Sequence, residues 1–255
     1  MPETKFEAVF RGFVKDFGGE IVPEEAEEGL RSADYCFRQH NVVAELKCLV
    51  EDQTEATANK LSEIIDQRRA GVGPQAQQPG QNDILLSFTS SADGEKLTIP
   101  FDQSFQQAWQ KVLLTPIENI IRDANKQIRA TKERLCIPSA HGVVLIFNEG
   151  NPLHAASPKH FARLVGKVIQ KPCSGERRFP HIQGMVYFSF QTIETFDEQT
   201  QKYMPFWLPP QVRGDAVEAV KRFQDDLKVG WCQYVERMSG VPIVSHHRET
   251  GWPDA

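Results

Sequence analysis

The chain has 255 residues, 40% of them hydrophobic and 25% charged, with 29 Lys and Arg against 34 Asp and Glu for a net charge of −5. That is too apolar for a disordered chain, ordinary for a globular one, and of a length for one large domain or two small ones. The apolar runs are too short to span a bilayer, the start has no basic segment ahead of an apolar stretch, and the five cysteines include no CxxC. The expectation is a cytoplasmic protein with reduced thiols and no membrane partner.

In chain order, residues 3–17 predict an amphipathic helix, because Phe6, Val9, Phe10, Phe13, Val14 and Phe17 recur at helical spacing and Gly18-Gly19 ends the pattern. Residues 20–23 read as a short strand, followed by an acidic loop at 24–28. Residues 33–38 and 42–49 read as two strands of a hairpin around Gln39-His40-Asn41. Residues 54–69 are helix-like, and 71–83, rich in Gly, Pro and Gln, read as a loop. Residues 84–89 and 96–101 form an inserted hairpin.

A helix is predicted over 116–135, with Thr115 as N-cap, Pro116 at the first helical position and Glu118 completing a capping box. Ile117, Ile120, Ile121, Ala124, Ile128 and Leu135 make its apolar face, and Arg122, Lys126 and Arg129 lie opposite. A buried strand follows at 142–147, then a helix at 158–169, strands at 182–191 and 202–208, a long helix at 216–238 and a polar tail from 245. The alternation predicts a single α/β domain over 1–255, with a central mixed sheet flanked by helices and an insertion at about 71–115.

The chemistry-bearing stretch is Asp34, then ten residues, then Glu45-Leu46-Lys47. With the hairpin turn centred between Gln39 and His40, facing residue numbers sum to 79, which sets Cys36 opposite Val43 and Asp34 opposite Glu45. Directly opposite side chains share a face, and so do residues two apart on one strand. Asp34, Glu45 and Lys47 are therefore expected to project together. Two facing carboxylates repel unless a cation sits between them. Mg²⁺ is the natural one, a hard ion that takes carboxylate oxygens and keeps waters, with Mn²⁺ as its substitute. Lys47 adds positive charge beside it, suited to phosphodiester hydrolysis. The strand residues around Glu45 and Lys47 are apolar on both sides, so these charges are expected to be enclosed.

This arrangement resembles the active-site signature of the PD-(D/E)XK nuclease superfamily, over roughly residues 3–150. The resemblance implies a restriction-endonuclease-like fold, with Asp34 and Glu45 as metal ligands, Lys47 assisting catalysis and Glu7 on the first helix as a further metal ligand. It also implies that Gln127 or Lys132, on the flanks of the apolar face of the 116–135 helix, serves the site. Ala33 stands where the motif has proline, and Gln127 is followed four residues later by Thr131, so a Q-x-x-x-Y pattern is not completed. The implied function is metal-dependent hydrolysis of DNA, in defence or repair. The alternative is an inactive member of the same fold that binds nucleic acid or protein. A glycosidase using Asp34 and Glu45 has no need of Lys47.

The nucleic-acid partner, DNA or RNA, draws support from basic residues: Arg122, Lys126, Gln127, Arg129 and Lys132 on one helix, and a second run at Lys159, Arg163, Lys167, Lys171, Arg177 and Arg178. A homodimer is compatible with such a partner. His246-His247 reads as a polar tail rather than a metal site. The net charge is a sum of opposed segments. Residues 1–66 hold seven basic and fifteen acidic residues, and residues 122–181 hold eleven and four. A carboxylate-rich part suits metal ions and a basic part suits phosphates.

Overall fold

The structure is a computed structural model that describes residues 5–23, 31–49, 59–60, 62–67, 85–89, 96–100, 103–149, 158–170, 178–189 and 216–240. Helix α1 is Lys5–Asp16, followed by strand β1, Glu20–Ile21. Strand β2 is Tyr35–Phe37 and β3 is Val42–Leu49, joined by a 3-10 turn at Arg38–His40. Asn41 closes that turn in the left-handed region (φ 51°), which asparagine tolerates better than most side chains. Residues 59–60 and 62–67 are helical, within the predicted 54–69 helix. Strands β4, Leu85–Thr89, and β5, Lys96–Pro100, pair antiparallel as the inserted hairpin, in a sheet of their own. Then come α2, Gln103–Arg134; β6, His141–Asn148; α3, Pro158–Gln170; β7, Gly184–Ser189; and α4, Ala216–Ser239.

The main sheet has five strands in the order β1-β2-β3-β6-β7. The first three pair antiparallel, and β3, β6 and β7 run parallel. The predicted hairpin register holds, because Cys36 faces Val43 and Phe37 faces Val42. Asn41 sets the parallel register as well. Its carbonyl accepts the His141 N–H (2.7 Å) and its amide donates to the Ser139 carbonyl (3.2 Å), which brings Val42 opposite His141 and Glu45 opposite Val144.

Alternation along the strands divides the core in two. Val43, Leu49, Val144, Ile146, Met185 and Tyr187 face α2 and α3, packing on Ile117, Ile121, Ile128, Phe161 and Leu164. Val42, Ala44, Leu46, Val143, Leu145 and Phe147 face α1 and α4, packing on Phe6, Phe10, Phe13, Phe223 and Trp231. The result is a three-layer α/β/α arrangement, and it explains why β3 and β6 read as apolar on both sides.

The helix predicted over 116–135 begins thirteen residues earlier, at Gln103, and Pro116 lies inside it. Thr115 is not an N-cap. Its hydroxyl donates to the Lys111 carbonyl one turn back (2.7 Å), the back-bonding that threonine makes within helices. The inserted segment therefore ends in the first half of α2. The predicted strand at 202–208, the loops at 24–28 and 71–83, and the tail from 245 lie outside the described residues. No helix among the described residues is long and apolar enough to cross a membrane.

Candidate functional site

Asp34 occupies the bend before β2, and Glu45 and Lys47 stand two residues apart on β3, on the face turned to α2. The main-chain N–H of Asp34 donates to Glu45 Oε2 (3.1 Å), and Asp34 Oδ2 accepts the Leu46 N–H (2.8 Å). These reciprocal bonds continue the hairpin one position past its last ladder pair, with side chains replacing backbone acceptors. The Lys47 ammonium lies 2.6 Å from Glu45 Oε1. Glu45 is only 1% exposed.

The electrostatics follow from this enclosure. Burial pushes the Asp34 carboxyl up. The Leu46 N–H, Lys47 and the hydrogen bond with Glu45 pull it partly back, while Glu7 adds to the rise. Burial raises Glu45 further, to about 8; the Asp34 charge reinforces the rise and Lys47 opposes it. Burial thus favours the protonated form of this pair. Such a pair can retain the proton, pass it on, or exchange it for a cation.

Helix α2 supplies the support. Gln127 Oε1 accepts from Lys47 Nζ (2.7 Å), and Gln127 Nε2 donates to the Ser32 carbonyl (3.3 Å). One turn on, the fully buried Thr131 hydroxyl accepts the Ala33 N–H (2.7 Å). The two residues leading into Asp34 are therefore fastened to α2 by side chains four apart. Sequence reasoning noted Thr131 only as an incomplete motif. Its signal was the i, i+4 spacing from Gln127, which puts both residues on the sheet-facing side of the helix.

The other expected residues are placed differently. Glu7 lies toward the α1 side of β3, with its Oε1 4.0 Å from Cys48 Sγ. Its charge also reaches Asp34, whose carboxyl it helps push up, and among the described residues no group of three or more His, Cys, Asp and Glu side chains is arranged to hold a metal ion. Lys132 turns inward. It is 5% exposed, and its ammonium donates to the His181 carbonyl (3.4 Å) and Gln183 Oε1 (3.3 Å). Four residues after Ile128, it falls within the apolar stripe rather than on its flank, and burial lowers its pKa to about 8. It presents no free cation to a phosphate. Arg122, Lys126 and Arg129 are exposed, as expected, though Arg122 bonds Asn119 (2.7 Å) and Arg129 pairs with Glu133 (3.7 Å). On α3, Arg163 and Lys167 are exposed. Arg178 pairs with Glu118 and lies 5.2 Å from the centre of the Phe179 ring. Lys171, Arg177 and His246-His247 lie outside the described residues.

No family model, curated protein or solved structure matches the chain.

Proposed function

We propose that the chain is a metal-dependent nuclease of the PD-(D/E)XK type, hydrolysing DNA phosphodiester bonds at Asp34, Glu45 and Lys47. The observation that carries this reading is the enclosed Asp34–Glu45 pair with the Lys47 ammonium 2.6 Å from Glu45. Glu45 is buried on the central strand beside the partly buried Asp34 and Lys47, and such a desolvated charge cluster is a marker of a functional site.

The donor set fits Mg²⁺ or Mn²⁺. Two carboxylates and no thiol or imidazole suit a hard cation, which commonly takes one or two carboxylates and fills its remaining positions with water and phosphate oxygen. Asp34 and Glu45 would hold it, and when bound it supplies a lowered water pKa and charge for the phosphoryl oxygens. Lys47 orients water beside Glu45 and stabilises negative charge developing on the phosphate. Gln127 keeps the Lys47 ammonium aimed at the carboxylates, and Thr131 fixes the residue before Asp34. The order of elements, α1, the β1-β2-β3 antiparallel set, α2 and then β6 parallel to β3, supports a restriction-endonuclease-like core. Exposed Arg122, Lys126 and Arg129 suit phosphate contacts along the duplex.

The test is degradation of supercoiled plasmid, linear duplex and RNA in Mg²⁺ or Mn²⁺. Nicking or cleavage of DNA that disappears in Asp34→Ala with the fold intact supports the reading. Binding of DNA without cleavage in either metal would point to an inactive binding member of the same fold.

A further inference from the structure

The end of α2 and the starts of β6 and β7 meet at one corner of the fold, tied by side-chain hydrogen bonds. The Gly142 N–H donates to Gln183 Oε1 (2.6 Å), which also accepts from the Lys132 ammonium (3.3 Å). The His181 carbonyl accepts from the same ammonium (3.4 Å), and the His181 N–H donates to Asn125 Oδ1 (3.0 Å). The Gln183 N–H returns to the Gly142 carbonyl (2.7 Å). The His181 carbonyl lies so close over Gly142 that no side chain fits there. The turn before β7 is thus clamped onto β6 and α2, with no slack to carry charged groups apart.

Basic groups converge at this corner. Lys132 is buried and bonded only to neutral acceptors. Its charge reaches His141, at the start of β6, and His181, which also feels Arg129. Among the described residues, Glu133 is the one carboxylate that acts on either imidazole, and it already pairs with Arg129 (3.7 Å). His40, in the turn before β3, is directed instead to Phe17, Phe223 and Asp226. Burial first, and then Lys132, holds both imidazoles below their ordinary 6.5. A further positive charge in this half-enclosed corner meets little water and one engaged carboxylate.

We propose that this corner is an acid-sensitive latch: protonation of His141 and His181 beside the buried Lys132 ammonium frees the 179–183 turn from α2 and Gly142, ahead of the rest of the fold. The latch is closed above pH 6.5 and loosens as pH falls below it, because the open form takes up protons that the closed form resists. Lys132, with a pKa of about 8, is charged across that window and supplies the repulsion. The sign is opposite to that of Asp34 and Glu45, which gain stability on acidification, so the readout must be local and not a melting temperature. The latch does not depend on nuclease activity.

The test is amide hydrogen exchange of the full chain by NMR at pH 7 and pH 5, corrected for intrinsic exchange, with the imidazoles titrated in the same samples. Both histidines are expected to titrate below 6.5. Protection at Gly142, His181 and Gln183 should fall by up to about tenfold for each pH unit by which an imidazole titrates below that value. The α4 amides from Leu227 to Trp231 should keep their protection. Lys132→Met should bring both imidazoles back toward 6.5 and remove most of the loss, and His141→Gln combined with His181→Gln should abolish it. Unchanged protection at the three corner amides of the wild-type chain, histidines that titrate at or above 6.5, an equal loss in Lys132→Met, or an equal loss across α4 would each overturn the proposal.

Discussion

Gln127 and Lys47 are 80 residues apart in the chain, and their side chains meet at 2.7 Å beside Glu45. Gln127 is thereby placed to act on the proposed site through Lys47. Gln127→Ala is expected to lower the cleavage rate about 10- to 100-fold, the usual cost of losing an orienting partner. Apparent affinity for DNA should stay within about twofold, because the backbone phosphates that dominate affinity are held by other side chains. A fall in affinity with an unchanged rate would mean that Gln127 touches the nucleic acid instead.

Thr131 offers a cleaner separation of structure from chemistry. Thr131→Val keeps the volume and removes the acceptor of the Ala33 N–H. A buried donor left unpaired costs about 1–3 kcal/mol, to be read by urea denaturation. The rate should fall as well, since Ala33 positions Asp34, and Thr131→Ser should restore both. A valine variant with wild-type stability would show that Thr131 does not fasten this segment.

The pH dependence of stability follows from the raised carboxyl groups. Asp34 and Glu45 both hold protons more tightly folded than unfolded. For Glu45 the stabilisation is complete below the unfolded pKa of about 4.5 and is lost as pH rises through about 8. Melting temperature should therefore decline between pH 5 and 8 in metal-free buffer, and Glu45→Gln should flatten that decline. Millimolar Mg²⁺ should raise the melting temperature at pH 8 and leave it unchanged at pH 5, because the cation competes with the proton. An identical pH slope in the Gln variant contradicts the assignment.

Lys132 titrates with the opposite sign. Its pKa is lowered from 10.5 to about 8, so its stabilising contribution is present above about 10.5 and is lost as pH falls through 8. At pH 7 the folded protein holds a buried ammonium bonded only to neutral acceptors. Lys132→Met is expected to be more stable than wild type at pH 7 by about 1–4 kcal/mol, with the advantage shrinking as pH rises from 8 to 10.5. Gln183 Oε1 retains the Gly142 N–H at 2.6 Å. A strongly destabilised Met variant at pH 7 would show that the ammonium bonds outweigh its desolvation.

Exposed Arg122, Lys126 and Arg129 bear on the DNA-binding part of the reading. Replacing all three with alanine should reduce the slope of log affinity against log salt by about 0.9 for each phosphate no longer neutralised. Mg²⁺ binding should be unchanged. Equal slopes for variant and wild type would place the duplex elsewhere, with Arg163 and Lys167 on α3 the next residues to change.

Much of this arrangement was legible in the sequence. The hairpin register follows once the turn is placed between Gln39 and His40, and the observed Cys36–Val43 pair bears that placement out; a single residue's shift would have turned Glu45 and Lys47 to the α1 face. The continuous apolar runs of β3 and β6 announced strands covered on both faces. The start of α2 was not legible. Thr115-Pro116-Ile117-Glu118 has every feature of a helix start, and only the tertiary structure shows that the helix arrives there already formed. Lys132 was misread because a lysine in an apolar stripe is usually on its border, and the polar pocket of the His181 carbonyl and Gln183 comes from residues 49 and 51 positions away. Glu7 lies on the predicted first helix, with its carboxylate beside Cys48 and its charge felt at Asp34. The fastening of Ser32 and Ala33 to α2 depends on long-range pairing that no local pattern encodes.

The central claim is that Asp34 and Glu45 share a divalent cation. The most direct measurement is anomalous scattering from a crystal soaked in Mn²⁺ at pH 8, where the raised Glu45 carboxyl is about half deprotonated and the cation can displace the rest. The expected result is a peak within about 2.5 Å of a carboxylate oxygen from each residue, absent from Glu45→Gln crystals soaked identically. A well-ordered crystal with no peak between the two carboxylates, or with Mn²⁺ bound only elsewhere, would contradict it.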